Sequence, residues 1–125
     1  VATSNQSIFT QRRNYSRVIL TRGVAAHLLK WVHFQQDTRG RDVELRYFRD
    51  VDGREVDFVI VENRHPVRLV ECKWDDTAVD RSLHYLLARF PECEAFQVSA
   101  VGQKDYVTPE GIRVCPAVTF LKTLI

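Results

Sequence analysis

The residues best able to do chemistry in this 125-residue chain are Asp57, Glu71 and Lys73. They sit on two β-type runs, R-E-V-D-F-V-I-V-E and V-R-L-V-E-C-K-W, separated by the turn signal N-R-H-P. An antiparallel pairing centred on Arg64 sets Asp57 directly opposite Glu71, Val59 opposite Leu69 and Val61 opposite Val67. Lys73 stands two residues beyond Glu71 and so projects from the same face, while Val56, Phe58 and Ile60 face the other way together with Val70. Two carboxylates at cross-strand distance repel unless a cation lies between them, and hard oxygen ligands of this kind suit Mg²⁺ or Mn²⁺. A metal held there would polarise a phosphoryl oxygen and activate a water, with Lys73 positioning that water or offsetting charge on the phosphate. The same spacing fits a purely structural arrangement. In that case Lys73 neutralises both acids, or pairs with Glu55, which the register places across from it.

The elements that must position these residues are legible in outline. Residues 1–15 lack a sustained period and read as a loose basic arm. From Ser16 to about Gln36, Val18, Ile19, Val24, Leu28, Leu29, Trp31, Val32 and Phe34 recur at three- and four-residue intervals, the pattern of an amphipathic helix weakened at Gly23. The run V-E-L-R-Y-F-R is joined to the second strand through D-V-D-G. With Asp52 and Gly53 at the centre of the turn, Leu45 faces Ile60, Tyr47 faces Phe58 and Arg49 faces Val56. After the third strand comes a helix over residues 78–90, with Asp76 or Thr77 as its N-cap and Pro91 as its stop. A fourth strand over 94–101, a loop with a short strand, and a closing helix with Pro116 near its first turn complete the chain. The expected fold class is therefore α/β, a three-layer domain with a mixed central sheet, a β-meander and flanking helices, in which residues 16–125 form one unit.

Composition excludes several classes. Hydrophobic residues make up 45% and charged residues 27%, the balance of one globular domain with its own core. Cys72, Cys93 and Cys115 are odd in number and form no C-x-x-C pair, so neither a disulfide framework nor a cysteine zinc site is indicated. No apolar run approaches a membrane span and no signal sequence is evident, which points to the cytoplasm. The net charge of +2 conceals an uneven distribution. Residues 1–36 carry Arg12, Arg13, Arg17, Arg22 and Lys30 and no acid, whereas the rest holds all sixteen acids. The arginine series could track a nucleic-acid backbone or form a solvated basic arm. The chain contains no methionine, so it is either processed or, the reading expected here, a piece of a longer product.

V-D-F-V-I-V followed by V-E-C-K resembles the D…(D/E)-x-K signature of the PD-(D/E)XK nuclease superfamily, whose fold is restriction-endonuclease-like. More narrowly, R-Y-F-R-D-V-D-G-R-E-V-D-F-V-I, then V-E-C-K-W, then R-S-L-H-Y-L, is similar to the domain of unknown function found C-terminal to a group of prokaryotic AAA-type ATPases. This similarity covers about residues 23–125. The resemblance implies Asp57, Glu71 and the Cys72 backbone carbonyl as metal ligands and Lys73 as the catalytic lysine. It also implies an AAA-type ATPase domain as a partner in the same chain and nucleic acid as the substrate. The superfamily often carries a glutamate on its first helix. The matching position here is near Thr21, and that helix holds no acid.

Arg81 and His84, on the polar face of the second helix, are placed to meet phosphate if that helix borders Asp57. His27 and His33 are six residues apart and His65 lies in a turn, so all three read as structural or solvent-facing. Trp31 and Trp74 read as packing anchors, and no Gly-rich phosphate loop is present. Two functions follow: a metal-dependent nuclease, or a nuclease-like module that has lost catalysis and binds nucleic acid or protein.

Overall fold

A computed structural model describes residues 2–124, with side chains from Arg17 to Leu124. The elements are α1 (Ala2–Arg39), β1 (Val43–Arg49), β2 (Glu55–Glu62), β3 (His65–Lys73), α2 (Arg81–Arg89), β4 (Glu94–Ser99), β5 (Tyr106–Val107), β6 (Ile112–Pro116) and α3 (Ala117–Lys122). One six-stranded sheet has the order β1-β2-β3-β4-β6-β5. Pairing is antiparallel from β1 to β3, parallel from β3 through β4 to β6, and antiparallel again at β5. The expected mixed sheet with a meander is thus observed.

The layers follow from which faces are apolar. Val24 and Leu28 of α1 and Phe120 of α3 pack with Phe58, Ile60, Val70, Cys72, Val98 and Cys115 on one face of the sheet. Leu83, Leu86 and Leu87 of α2 pack with Val59, Leu69, Ala95 and Ile112 on the other. Val56 departs from the expected face: it joins the α2 side, next to Phe48. All three cysteines are free and buried.

Helix α1 is longer than its amphipathic stripe. Its backbone is helical from Ala2, where the missing period suggests a loose arm; periodicity marks only a helix with an apolar stripe, and this run has none in its sequence. The side chains of Arg12 and Arg13 lie outside the described residues. Gly23 does not split the helix, which ends at Gly40, in the left-handed region at φ +62°. There the Gly40 N–H donates to the Gln36 carbonyl and the Arg41 N–H to that of Gln35. Trp31 is a packing anchor as expected: it packs on the α1-side core, with the Arg41 and Arg68 guanidinium carbons 5.4 and 5.6 Å from its ring. His27, His33 and His65 are exposed.

Two expected registers shift by one residue. In the β1–β2 hairpin, Val51 and Asp52 are the central turn residues, and Gly53 follows in the left-handed region at φ +80°. Leu45 faces Ile60 as expected. A bulge between Arg46 and Phe48 then moves the pairing, so that Phe48 faces Val56 and Arg49 faces Glu55, in place of Tyr47 with Phe58 and Arg49 with Val56. The β2–β3 turn is tighter than the one centred on Arg64. Asn63 and Arg64 both take positive φ, 52° and 68°, and His65 pairs with Glu62. Val61 accordingly meets Pro66 instead of Val67, until a bulge after Ile60 restores Val59 opposite Leu69.

The loop after β4 is tied down by Asp76, whose carboxylate accepts the N–H groups of Gln103 (3.0 Å) and Lys104 (3.4 Å). A Cβ on Gly102 would overlap this carboxylate and the buried Ser99 hydroxyl. Gly102→Ala is therefore expected to cost about 1–3 kcal/mol, as overpacking does. Urea unfolding measures it, and an unchanged midpoint would mean that Asp76 and Ser99 give way freely.

Candidate functional site

The β2–β3 pairing runs from Glu62–His65 to Phe58–Val70 and stops there. Beyond it β2 stays with β1, β3 stays with β4, and the two strands are bridged by side chains. Glu71 Oε1 accepts the Asp57 N–H at 3.1 Å, and Asp57 Oδ2 accepts the Cys72 N–H at 2.9 Å. Asp57 and Glu71 are brought together as expected, at a fork in the sheet and not as a regular ladder pair.

Lys73 completes the group. Its Nζ lies 3.3 Å from Glu71 Oε2 and 2.6 Å from Asp80 Oδ2. It does not pair with Glu55, which takes Arg49 instead at 2.9 Å, because the shifted β1 register sets those two opposite each other. Asp80 is the N-cap of α2, where Asp76 or Thr77 was expected. Its Oδ1 accepts the Ser82 N–H at 2.8 Å, which shortens the helix to Arg81–Arg89. Gln97, 2% exposed on β4, holds that cap. Its Oε1 accepts the Asp80 N–H at 2.9 Å and its Nε2 donates to the carbonyls of Ala78 (3.2 Å) and Thr77 (3.4 Å).

A second cation enters from α1. Arg17 Nε donates to the Cys72 carbonyl at 3.2 Å, and its Nη2 lies 3.4 Å from Asp57 Oδ2 and 3.8 Å from Glu71 Oε2. One turn further on, the Thr21 hydroxyl donates to the Arg17 carbonyl at 2.8 Å. The Cys72 carbonyl and the two carboxylates therefore surround a guanidinium.

Burial and neighbouring charge set the protonation states. Glu71, 4% exposed, is pushed up to about 7, first by burial and then by the Asp57 charge, with Lys73 opposing. Burial pulls Lys73 down, but the Asp80 hydrogen bond and the Glu71 charge outweigh it and hold the ammonium above its ordinary value. Burial raises Asp80, but the Lys73 and Ser82 hydrogen bonds win and keep its carboxyl low. The Cys72 thiol is raised by burial, so it is no nucleophile at neutral pH.

Of the two residues expected to meet phosphate, Arg81 directly follows Asp80 and is exposed, making no ion pair among the described residues. His84 is half-buried. Its charged neighbour is Glu110, which the hydrogen bonds of its own backbone and of Thr108 hold low with a smaller contribution from His84. Asp80, Gln97 and Arg17 were not singled out as site residues from sequence. A polar residue inside the apolar strand E-A-F-Q-V-S marks Gln97 as one that needs buried partners, and Asp80 stands just ahead of the leucine stripe of α2. Arg17 carries no local signal, being 55 residues from Cys72 in the chain.

Among the described residues, no three His, Cys, Asp or Glu side chains are grouped to hold a metal ion. Nor is any helix long and apolar enough to cross a membrane. No curated protein and no solved structure matches the chain. A family model does match, over residues 22–120, and it takes in β2, β3, α2 and hence the whole fork except Arg17. The chain belongs to the family described as a domain of unknown function, DUF4143.

Proposed function

We propose that the domain is a metal-dependent nuclease of PD-(D/E)XK type acting on nucleic-acid phosphodiesters, working in the cytoplasm beside an AAA-type ATPase domain of the same chain. The observation that carries this reading is the convergence of Asp57 Oδ2, Glu71 Oε2 and the Cys72 carbonyl on one cation. The donors are hard oxygens, two of them anionic, and fit Mg²⁺ or Mn²⁺, which commonly take one or two carboxylates and complete their shell with water and phosphate. A metal bound there would supply charge to a phosphoryl oxygen and lower the pKa of a bound water. The protein's own contribution is positional. The fork holds the two carboxylates together, Asp80 holds the Lys73 ammonium beside Glu71 as a fixed positive charge for the reacting phosphate, and exposed Arg81 offers a contact to a neighbouring phosphate.

Arg17 favours a second reading. With a guanidinium already among the oxygens and no acid on α1 before Asp37 at its far end, both acids have a cation without a metal, as in a module that binds nucleic acid or protein without cutting. A cleavage assay on single- and double-stranded DNA and RNA with Mg²⁺ or Mn²⁺ separates the two. The native chain is expected to cleave and Asp57→Asn, which keeps the acceptor for the Cys72 N–H, to lose cleavage while remaining folded. No cleavage of any substrate by the native chain sinks the enzyme reading.

A further inference from the structure

We propose that Arg17 is a tethered cation that competes with a divalent metal for Asp57, Glu71 and the Cys72 carbonyl; this rests on the reading of the fork as a metal site. An ordinary surface arginine meets one carboxylate. Arg17 reaches three oxygens on two strands, through Nε to a backbone carbonyl and through Nη2 to both acids. These are the oxygens a metal would need. A divalent ion takes oxygens at about 2.0–2.6 Å, so it and the guanidinium, both positive, exclude one another from this space.

The guanidinium is held loosely enough to leave. Its 3.4 and 3.8 Å approaches to the carboxylates exceed the roughly 2.7–2.9 Å of a strong charge-assisted bond, and its side chain is 44% exposed. Exchange also improves the charge balance. With Glu71 ionised, the carboxylates of Asp57, Glu71 and Asp80 are matched by Lys73 and Arg17, one positive charge short, and a divalent ion in place of Arg17 supplies that charge. The open form is therefore the metal-ready form, and metal affinity is reduced by the fraction of time that Arg17 is docked.

Mn²⁺ titration of the full chain, followed by electron paramagnetic resonance and calorimetry, tests this. With Arg17 docked nine-tenths of the time or more, Arg17→Ala is expected to bind Mn²⁺ about tenfold tighter or better, and to gain more in Tm from Mn²⁺ than the native chain. Arg17→Lys, which keeps the charge, is expected to stay nearer the native affinity. Arg17→Gln carries the same expectation as alanine and stands in for it should loss of the whole side chain unfold the protein. Equal Mn²⁺ affinity in the native chain and both neutral variants overturns the competition and leaves the metal site standing. No Mn²⁺ binding in any of them overturns the metal site and the competition with it.

Discussion

Lys73→Met is expected to destabilise the protein by about 3 kcal/mol at pH 8 and by clearly less at pH 5. The Lys73 ammonium is the cation shared by Glu71 and Asp80, whose side chains are 5% and 24% exposed. Removing one partner of a buried charge pair typically costs 3–5 kcal/mol; the lower end applies here because Asp80 keeps access to water. The pH dependence comes from Glu71. Its folded-state pKa, about 7, lies above the ordinary carboxylate value, and loss of Lys73 raises it further. A carboxyl shifted upward contributes stability that is full below its unfolded pKa, near 4.3, and is lost as pH rises through its folded pKa. The variant's deficit is therefore steady near pH 5 and opens as pH rises past about 7 towards pH 8, where Glu71 ionises in the native chain before it does in the variant. Urea midpoints across that range measure it, and adding Glu71→Gln should flatten the dependence. A deficit independent of pH would show that Glu71 does not feel Lys73. On the proposed chemistry, cleavage is lost at every pH.

Phe120→Ala is expected to cost about 3–5 kcal/mol and to lower Tm by on the order of 10–20 °C. Phe120 is fully buried, its ring centroid lies 4.9 Å from that of Phe96, and it packs in the cluster that contains Val24 and Leu28 of α1. Helix α3 has six residues and no side-chain bond at its Pro116 cap, so it depends on this packing and not on helix propensity. The deletion thus frees α3 and leaves a void beneath α1. Phe120→Leu should recover most of the loss, as substitutions that nearly conserve volume do. A cost below about 1 kcal/mol for the alanine variant would mean that α3 contributes nothing to the core.

The local parts of the fold were legible and the long-range ones were not. Short runs of β-branched and apolar residues marked β2 and β3, and both residue parities are apolar there because each side of the sheet is buried by a different helix. Asp57 and Glu71 came out adjacent for a reason the sequence does not display. The turn at Asn63–Arg64 is offset from the one assumed, and the bulge after Ile60 offsets it back. At Tyr47 no second irregularity cancels the first, so Arg49 is found opposite Glu55, and Lys73 turns to Asp80. Arg17 was unreadable because its contacts depend on how α1 lies across the end of the sheet, which no short-range pattern encodes.

The fork has a bearing on descent. Asp57 and Glu71 each accept a backbone N–H that the opened strands can no longer satisfy between themselves, so both acids close the end of the sheet whether or not any substrate arrives. A lineage that gave up cleavage would keep them for this reason alone. Persistence of the acid pair among descendants therefore records a constraint from folding, while the residue at position 17, which no strand requires, is free to register gain or loss of the chemistry.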